Sequence, residues 1–139
     1  MTIIFDFNRT LYDPEASTLM SGALELLAQL TEKGAVLHLV SRKEPGRETL
    51  PEALHISRFF TTTQFVEDKK EALHTLITTS AMPVYVVGDH LYDEIRSGNK
   101  AGAKTVRLKR GKFASLMPEE PDDEPWRTIE NLADLSNLV

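Results

Sequence analysis

Three aspartates, a serine and a pair of lysines carry the chemistry that can be read from this chain. Asp6 stands at the end of the apolar run Met1–Phe5, and Asp89 at the end of Val84–Val87. Both runs read as short buried strands. A carboxylate at the end of a buried strand is costly unless something there requires it. In a parallel sheet the two strand ends face the same edge, so Asp6 and Asp89 converge into a hard-oxygen site suited to Mg²⁺. Asp93 lies four residues beyond Asp89 and returns to that site if a helix begins there. Read alone, Asp89 would serve as an N-cap. Beside Asp6, with Gly88 before it and Asp93 after it, the metal reading is preferred. Ser41 ends a second apolar strand, where its hydroxyl can donate to a phosphoryl oxygen or close a turn. Lys69 and Lys70 follow Asp68 at a helix start. A cation is disfavoured there by the helix dipole, so another group must hold it. Either lysine fits.

The elements that must position these groups alternate between strand and helix, the pattern of βαβ units around a parallel sheet. A helix is expected after Asp13-Pro14, with Met20, Ala23, Leu24, Leu27 and Leu30 on one face and Gly34 ending it. Ala35–Val40 reads as a strand, and Glu44-Pro45-Gly46 as a turn. A short helix over Thr49–Ile56 takes Pro51 in its first turn. Phe59–Val66 suits an edge strand. Asp68 caps a helix over Lys69–Thr79, which Pro83 stops. A further helix runs from Tyr92 to Ala101, and Lys104–Leu108 forms the next strand. Lys109-Arg110-Gly111-Lys112 is a basic loop, expected to be solvated. Pro118–Pro125 is acidic and proline-rich and reads as an extended surface loop, and Ile129–Leu138 as a final docking helix.

The 139 residues are expected to form one domain, residues 1–139, with 112–139 supplying the acidic loop and docking helix. Apolar content of 41% and charged content of 27% suit a globular protein. A net charge of −5 argues against nucleic acid as a main partner. Without cysteines there is no disulfide, thiolate metal site or Cys nucleophile. No apolar run approaches a membrane span, and the chain goes directly into strand and motif with no targeting segment. A cytoplasmic protein is expected.

Asp6-Phe7-Asn8-Arg9-Thr10-Leu11 resembles the first motif of the haloacid dehalogenase-like (HAD) superfamily, Asp-x-Asp-x-Thr-Leu. Gly88-Asp89-His90-Leu91-Tyr92-Asp93 is similar to the fourth, Gly-Asp-x-x-x-Asp. Ser41 resembles the second motif, and Lys69, in Lys69-Lys70-Glu71-Ala72-Leu73, the third. The resemblance covers nearly the whole chain. It implies a three-layer Rossmann-like α/β fold with a mainly parallel sheet. Ser41 follows Asp6 by 35 residues, room for one crossover helix and a strand but not for a large cap domain. It further implies a Mg²⁺-dependent phosphoryl hydrolase or transferase with Asp6 as nucleophile. Mg²⁺ would be held by Asp6, the backbone carbonyl of Asn8, Asp89 and Asp93. Ser41 and Lys69 would act on the transferred phosphoryl group, and Thr10 and Arg42 would contact the substrate; Arg9, read from its charge and not from the resemblance, is either a contact for a substrate phosphate or a surface side chain. An open, capless site would suit a phosphate on a large substrate, or one covered by a second subunit.

Two residues depart from the pattern. Asn8 stands where the family has a second Asp, its general acid/base, and Arg9 where it has Gly. An amide can neither protonate a leaving alkoxide nor deprotonate water, a loss that typically costs ~10²–10⁴-fold. The expectation is therefore weak activity on ordinary monoesters, better use of acyl or aryl phosphates, or a long-lived phospho-Asp6. The rival expectation is a degenerate member that binds a phosphorylated ligand or a protein without turnover.

Overall fold

The computed structural model describes residues 1–139. Six parallel strands form the central sheet: β1 (Thr2–Phe5), β4 (Val36–Arg42), β5 (Thr62–Val66), β6 (Val84–Gly88), β7 (Lys104–Leu108) and β8 (Arg127–Ile129). Their order is β5-β4-β1-β6-β7-β8. β1 and β6 are therefore neighbours in the middle of the sheet, paired Phe5 to Val87. That pairing sets Asp6 and Asp89 close together at the carboxyl edge, where open α/β sheets hold ligands.

Side chains alternate across each strand, so Ile3 and Phe5 enter one core and Ile4 the other. The first core packs under α1 (Ala23–Glu32) and the C-terminal 3₁₀ segment Leu132–Asn137. The second lies under α3 (Lys69–Thr79), with α4 (Arg96–Lys100) beside it. Burial on both faces explains why β6 is apolar throughout. The result is the expected three-layer α/β arrangement with no large cap. A short helix, α2 (Leu50–Ala53), carries Pro51 in its first turn as expected. No helix is long and apolar enough to cross a membrane.

Several elements differ from the sequence reading. The stretch after Asp13-Pro14 is not helical. It is an antiparallel hairpin, β2 (Tyr12–Asp13) with β3 (Thr18–Leu19). Asp13 Oδ1 accepts from the N–H groups of Glu15 and Ala16, a local alternative to helix that Asp side chains offer. α1 consequently starts only at Ala23, and it buries Leu26 in place of Leu24, which is 39% exposed. The edge strand β5 is confined to Thr62–Val66, because Ser57–Phe59 forms a 3₁₀ turn. The acidic stretch is not a free surface loop. Pro121–Asp123 is a 3₁₀ turn whose Asp123 is fully buried on Arg96. Ile129 belongs to β8, and the docking segment after it is 3₁₀, anchored by Leu132 and Leu135.

Candidate active site

A cavity of about 290 Å³ opens at the carboxyl edge of β1, β4 and β6. Asp6, Asn8, Arg9, Arg42, Lys69, Asp89 and Asp93 line it, seven of the nine residues singled out from the sequence. Ser41 and Thr10 do not.

Lys69 is the hub. It opens α3, where Asp68 caps the helix by accepting the Lys70 N–H at 2.9 Å. Its buried Nζ donates to Asp6 Oδ1 at 2.9 Å and to Glu94 Oε2 at 3.0 Å, with Asp93 Oδ2 at 3.5 Å. Lys70 is exposed, so Lys69 is the lysine that reaches Asp6. Burial works against the ammonium charge, but Asp6, Glu94 and Asp93 together hold its pKa well above the ordinary lysine value.

Glu94 is the functional candidate that motif spacing misses. Residues Leu91–Ile95 form a π-helical turn, wider than an α-turn. The extra width separates the roles of Asp93 and Glu94. Asp93 stays on the cavity wall, where Arg42 donates to it at 2.9 Å. Glu94 turns inward beneath Gly88, and its Oε1 accepts the N–H groups of Asp89 and His90, both at 3.0 Å. Gly88 is required for this approach, since a Cβ there would lie 2.1 Å from Glu94 Cγ. Asp93 was expected among the metal ligands. The carboxyl oxygens that gather within 4.8 Å of one another belong instead to Asp6, Asp89 and Glu94.

Burial raises Asp6 to a pKa of about 6, reinforced by the charge of Glu94 and opposed by Lys69. Burial raises Asp89 to about 9, reinforced by Glu94 and Asp6. Burial also pushes Glu94 up, but Lys69 and the His90 N–H outweigh it and leave its carboxyl below the usual value. Asp89 is not a helix cap, because His90 Nδ1 takes that role by accepting the Tyr92 N–H at 3.1 Å. Asp89 Oδ2 is buried with no hydrogen-bond partner. An unpartnered carboxylate oxygen beside two more carboxyls fits a hard divalent cation. Both oxygens of Glu94 and both of Asp6 accept hydrogen bonds, so Asp89 alone of the three keeps an oxygen with no partner, and Glu94 braces the pair from below.

The remaining residues take varied places. Thr10 is fully buried, and its hydroxyl donates to Asp6 Oδ2 at 3.2 Å. It orients Asp6 and does not reach the cavity, which corrects its expected substrate contact. Ser41 is fully buried at the end of β4, its hydroxyl directed to the Arg42 carbonyl at 3.3 Å. Arg9 adopts φ 60°, the left-handed region that favours glycine, so this position carries backbone strain. Its Nη2 pairs with Glu15 at 2.9 Å. Asn8 Oδ1 accepts from Arg47 Nε at 3.1 Å, and its Nδ2 lies 3.5 Å from Glu44 Oε1. Together with Glu94, the residues Glu44, His90 and Phe113 complete the lining. Glu44 lies in a turn signal and His90 inside the Gly88–Asp93 motif, where it reads as a loop residue and not a ligand, while Phe113 carries no such signal.

Residues 67–135 match the family model described as "HAD-hyrolase-like". The chain belongs to the HAD-like hydrolase superfamily. It is 39% identical over 69 residues to the glyceraldehyde 3-phosphate phosphatase of Methanopyrus kandleri, half of this chain but only 29% of that protein's length. Among solved structures, an uncharacterized protein from Listeria monocytogenes serotype 4b superposes with a TM-score of 0.81 at 16% identity, covering 99% of this chain and 96% of that one. The D,D-heptose 1.7-bisphosphate phosphatase from B. bronchiseptica, complexed with magnesium and phosphate, superposes with a TM-score of 0.73 at 15% identity, covering the same shares. These two likenesses concern the fold.

Proposed function

We propose that this HAD-like chain is a Mg²⁺-dependent phosphoryl hydrolase or transferase acting through an aspartyl-phosphate on Asp6. The observation that carries the proposal is the buried cluster itself. The carboxyls of Asp6, Asp89 and Glu94 crowd together, Lys69 pairs with Asp6 and Glu94 but not with Asp89, and Asp89 keeps an oxygen with no partner. Such a concentration of buried carboxyls is destabilising unless it serves a site. Asp6, Asp89 and the Asn8 carbonyl would hold Mg²⁺, which when bound supplies charge stabilisation for the transferring phosphoryl group.

The side chains divide the remaining work. Thr10 and Lys69 each take one oxygen of Asp6 and fix the direction of attack. Lys69 also offsets charge on the phosphoryl oxygens. Arg9 and Arg42 face the same cavity and suit further anionic groups of a substrate. The volume accommodates a phosphorylated small molecule, in line with the names of the phosphatase relatives. Asn8 cannot protonate an alkoxide, so aryl and acyl phosphates are favoured over alkyl monoesters. The test is turnover of an aryl phosphate with and without Mg²⁺, set against Asp6→Asn. Turnover that requires both Mg²⁺ and Asp6 is expected. Activity that survives Asp6→Asn overturns the reading, and no turnover at all favours a binding module on the same fold.

A further inference from the structure

We propose that Glu44 performs the water-activating step that Asn8 cannot, an inference that rests on the phospho-Asp6 reading above. Asn and Asp have the same shape, so Asn8 Nδ2 marks where an aspartate's second oxygen would stand. Glu44 Oε1 lies 3.5 Å from that atom and lines the same cavity as Asp6. A carboxylate is thus present within one water of the place where an acid/base group is missing.

The local chain explains how it gets there. β4 ends at Arg42, and a tight turn follows, closed by the Arg47 N–H on the Glu44 carbonyl at 3.1 Å, with Gly46 at φ 78°. The turn sets Glu44 and Arg47 side by side, 3.4 Å apart. Arg47 Nε also donates to Asn8 Oδ1, and its guanidinium lies over the Tyr12 ring at 5.4 Å. The Asn8 amide is therefore oriented with its oxygen to the cation and its NH₂ group to the carboxylate. An aspartate at position 8 would instead point a second negative charge at Glu44. Asn8 and Glu44 read as a matched pair in which the carboxylate has moved from one side chain to the other.

The other polar groups of the cavity are less suited. His90 Nδ1 accepts the Tyr92 N–H, which leaves the proton of the neutral ring on Nε2, a donor with no free lone pair. Asp93 is held by Arg42 and Lys69. Glu44 is 43% exposed, with one face to the cavity and one to solvent.

In the hydrolytic half-reaction, the Glu44 carboxylate takes a proton from water as the water oxygen bonds to phosphorus. The bond from phosphorus to the Asp6 oxygen breaks, and its electron pair returns to the Asp6 carboxylate. Inorganic phosphate forms, and Glu44 passes its proton to bulk water. The first half-reaction gains nothing from Glu44 in this scheme, so the preference for leaving groups that need no proton remains.

The experiment follows the decay of phospho-Asp6 after loading with an aryl phosphate and Mg²⁺ and rapid removal of substrate. In Glu44→Gln the aryl alcohol is still released in a first turnover, while decay slows by ~10²-fold or more. Glu44→Asp decays at an intermediate rate. Adding Asn8→Asp to Glu44→Gln speeds decay at least tenfold over Glu44→Gln, and by a larger factor than Asn8→Asp speeds the parent, a non-additivity that a structural role for Glu44 would not produce. Phosphoenzyme that forms normally and decays at the parental rate in Glu44→Gln overturns this inference alone. Absence of phosphoenzyme in the parent overturns the proposed function, and this inference with it.

Discussion

Two buried clusters of acid and base in this molecule look alike in composition and behave in opposite ways. At Asp123, Arg96 donates through two nitrogens at 2.6 and 2.9 Å, and the N–H groups of Glu119 and Glu120 complete the shell. Chiefly through Arg96, that carboxyl sits at about 2, below its ordinary value. At the cavity, three carboxyls share Lys69, and Asp6 and Asp89 are raised to about 6 and about 9. The first cluster is satisfied and ties the acidic turn to α4. The second holds more carboxyls than its partners can match, and that imbalance is what supports the proposed cation and phosphoryl site.

The comparison breaks most visibly at Asp123. Asp123→Ala leaves Arg96 and two backbone N–H groups without their acceptor, and the melting temperature should fall by about 5 °C or more. At the cavity the opposite is expected. Asp89→Asn replaces a carboxyl that the fold obliges to keep its proton up to about pH 9, so the metal-free variant should melt no lower than the parent, while Mg²⁺ no longer raises its melting temperature. A drop comparable to that of Asp123→Ala would mean that Asp89 serves the fold and not a cation. Gly88→Ala tests the brace between the two aspartates. Its Cβ would collide with Glu94, and overpacking of this kind costs typically 1–3 kcal/mol, readable by denaturant unfolding.

The pH dependence sharpens the contrast, with a smaller effect. The folded Asp123 carboxyl holds its proton less tightly than the unfolded one. Its contribution is present above pH about 4 and lost as pH falls toward 2. Asp89 has the reverse sign. Its folded carboxyl holds the proton more tightly, so metal-free stability is greatest at low pH and declines as pH rises through the window up to about 9. Thermal melts across pH should show an acid-side loss abolished by Asp123→Asn and a base-side decline flattened by Asp89→Asn.

The same contrast explains what was legible in the chain. Asp6, Asp89 and Lys69 stand at ends of elements whose apolar runs and caps are local signals, so their convergence on one sheet edge followed from topology. The central sheet and α3 were readable for the same reason. Glu94 was not, because the wide turn at Leu91–Ile95 has no local signature and its inward path depends on Gly88. Glu44 reaches Asn8 only through the fold, across 36 positions of sequence. Thr10 matched its motif, yet its burial gives it Asp6 as partner and not a substrate. Asp123 sits in a stretch whose proline and acid content reads as solvated, and only its encounter with Arg96 makes it internal.

The central claim is that Asp6 receives a phosphoryl group. Its most direct test is to incubate the protein with an acyl phosphate and Mg²⁺, quench in acid, and map the modified peptide by mass spectrometry. The account predicts one phosphoryl group on the N-terminal peptide at Asp6, absent without Mg²⁺ and absent in Asp6→Asn. An unmodified Asp6, or a phosphoryl group found on another residue, would contradict it.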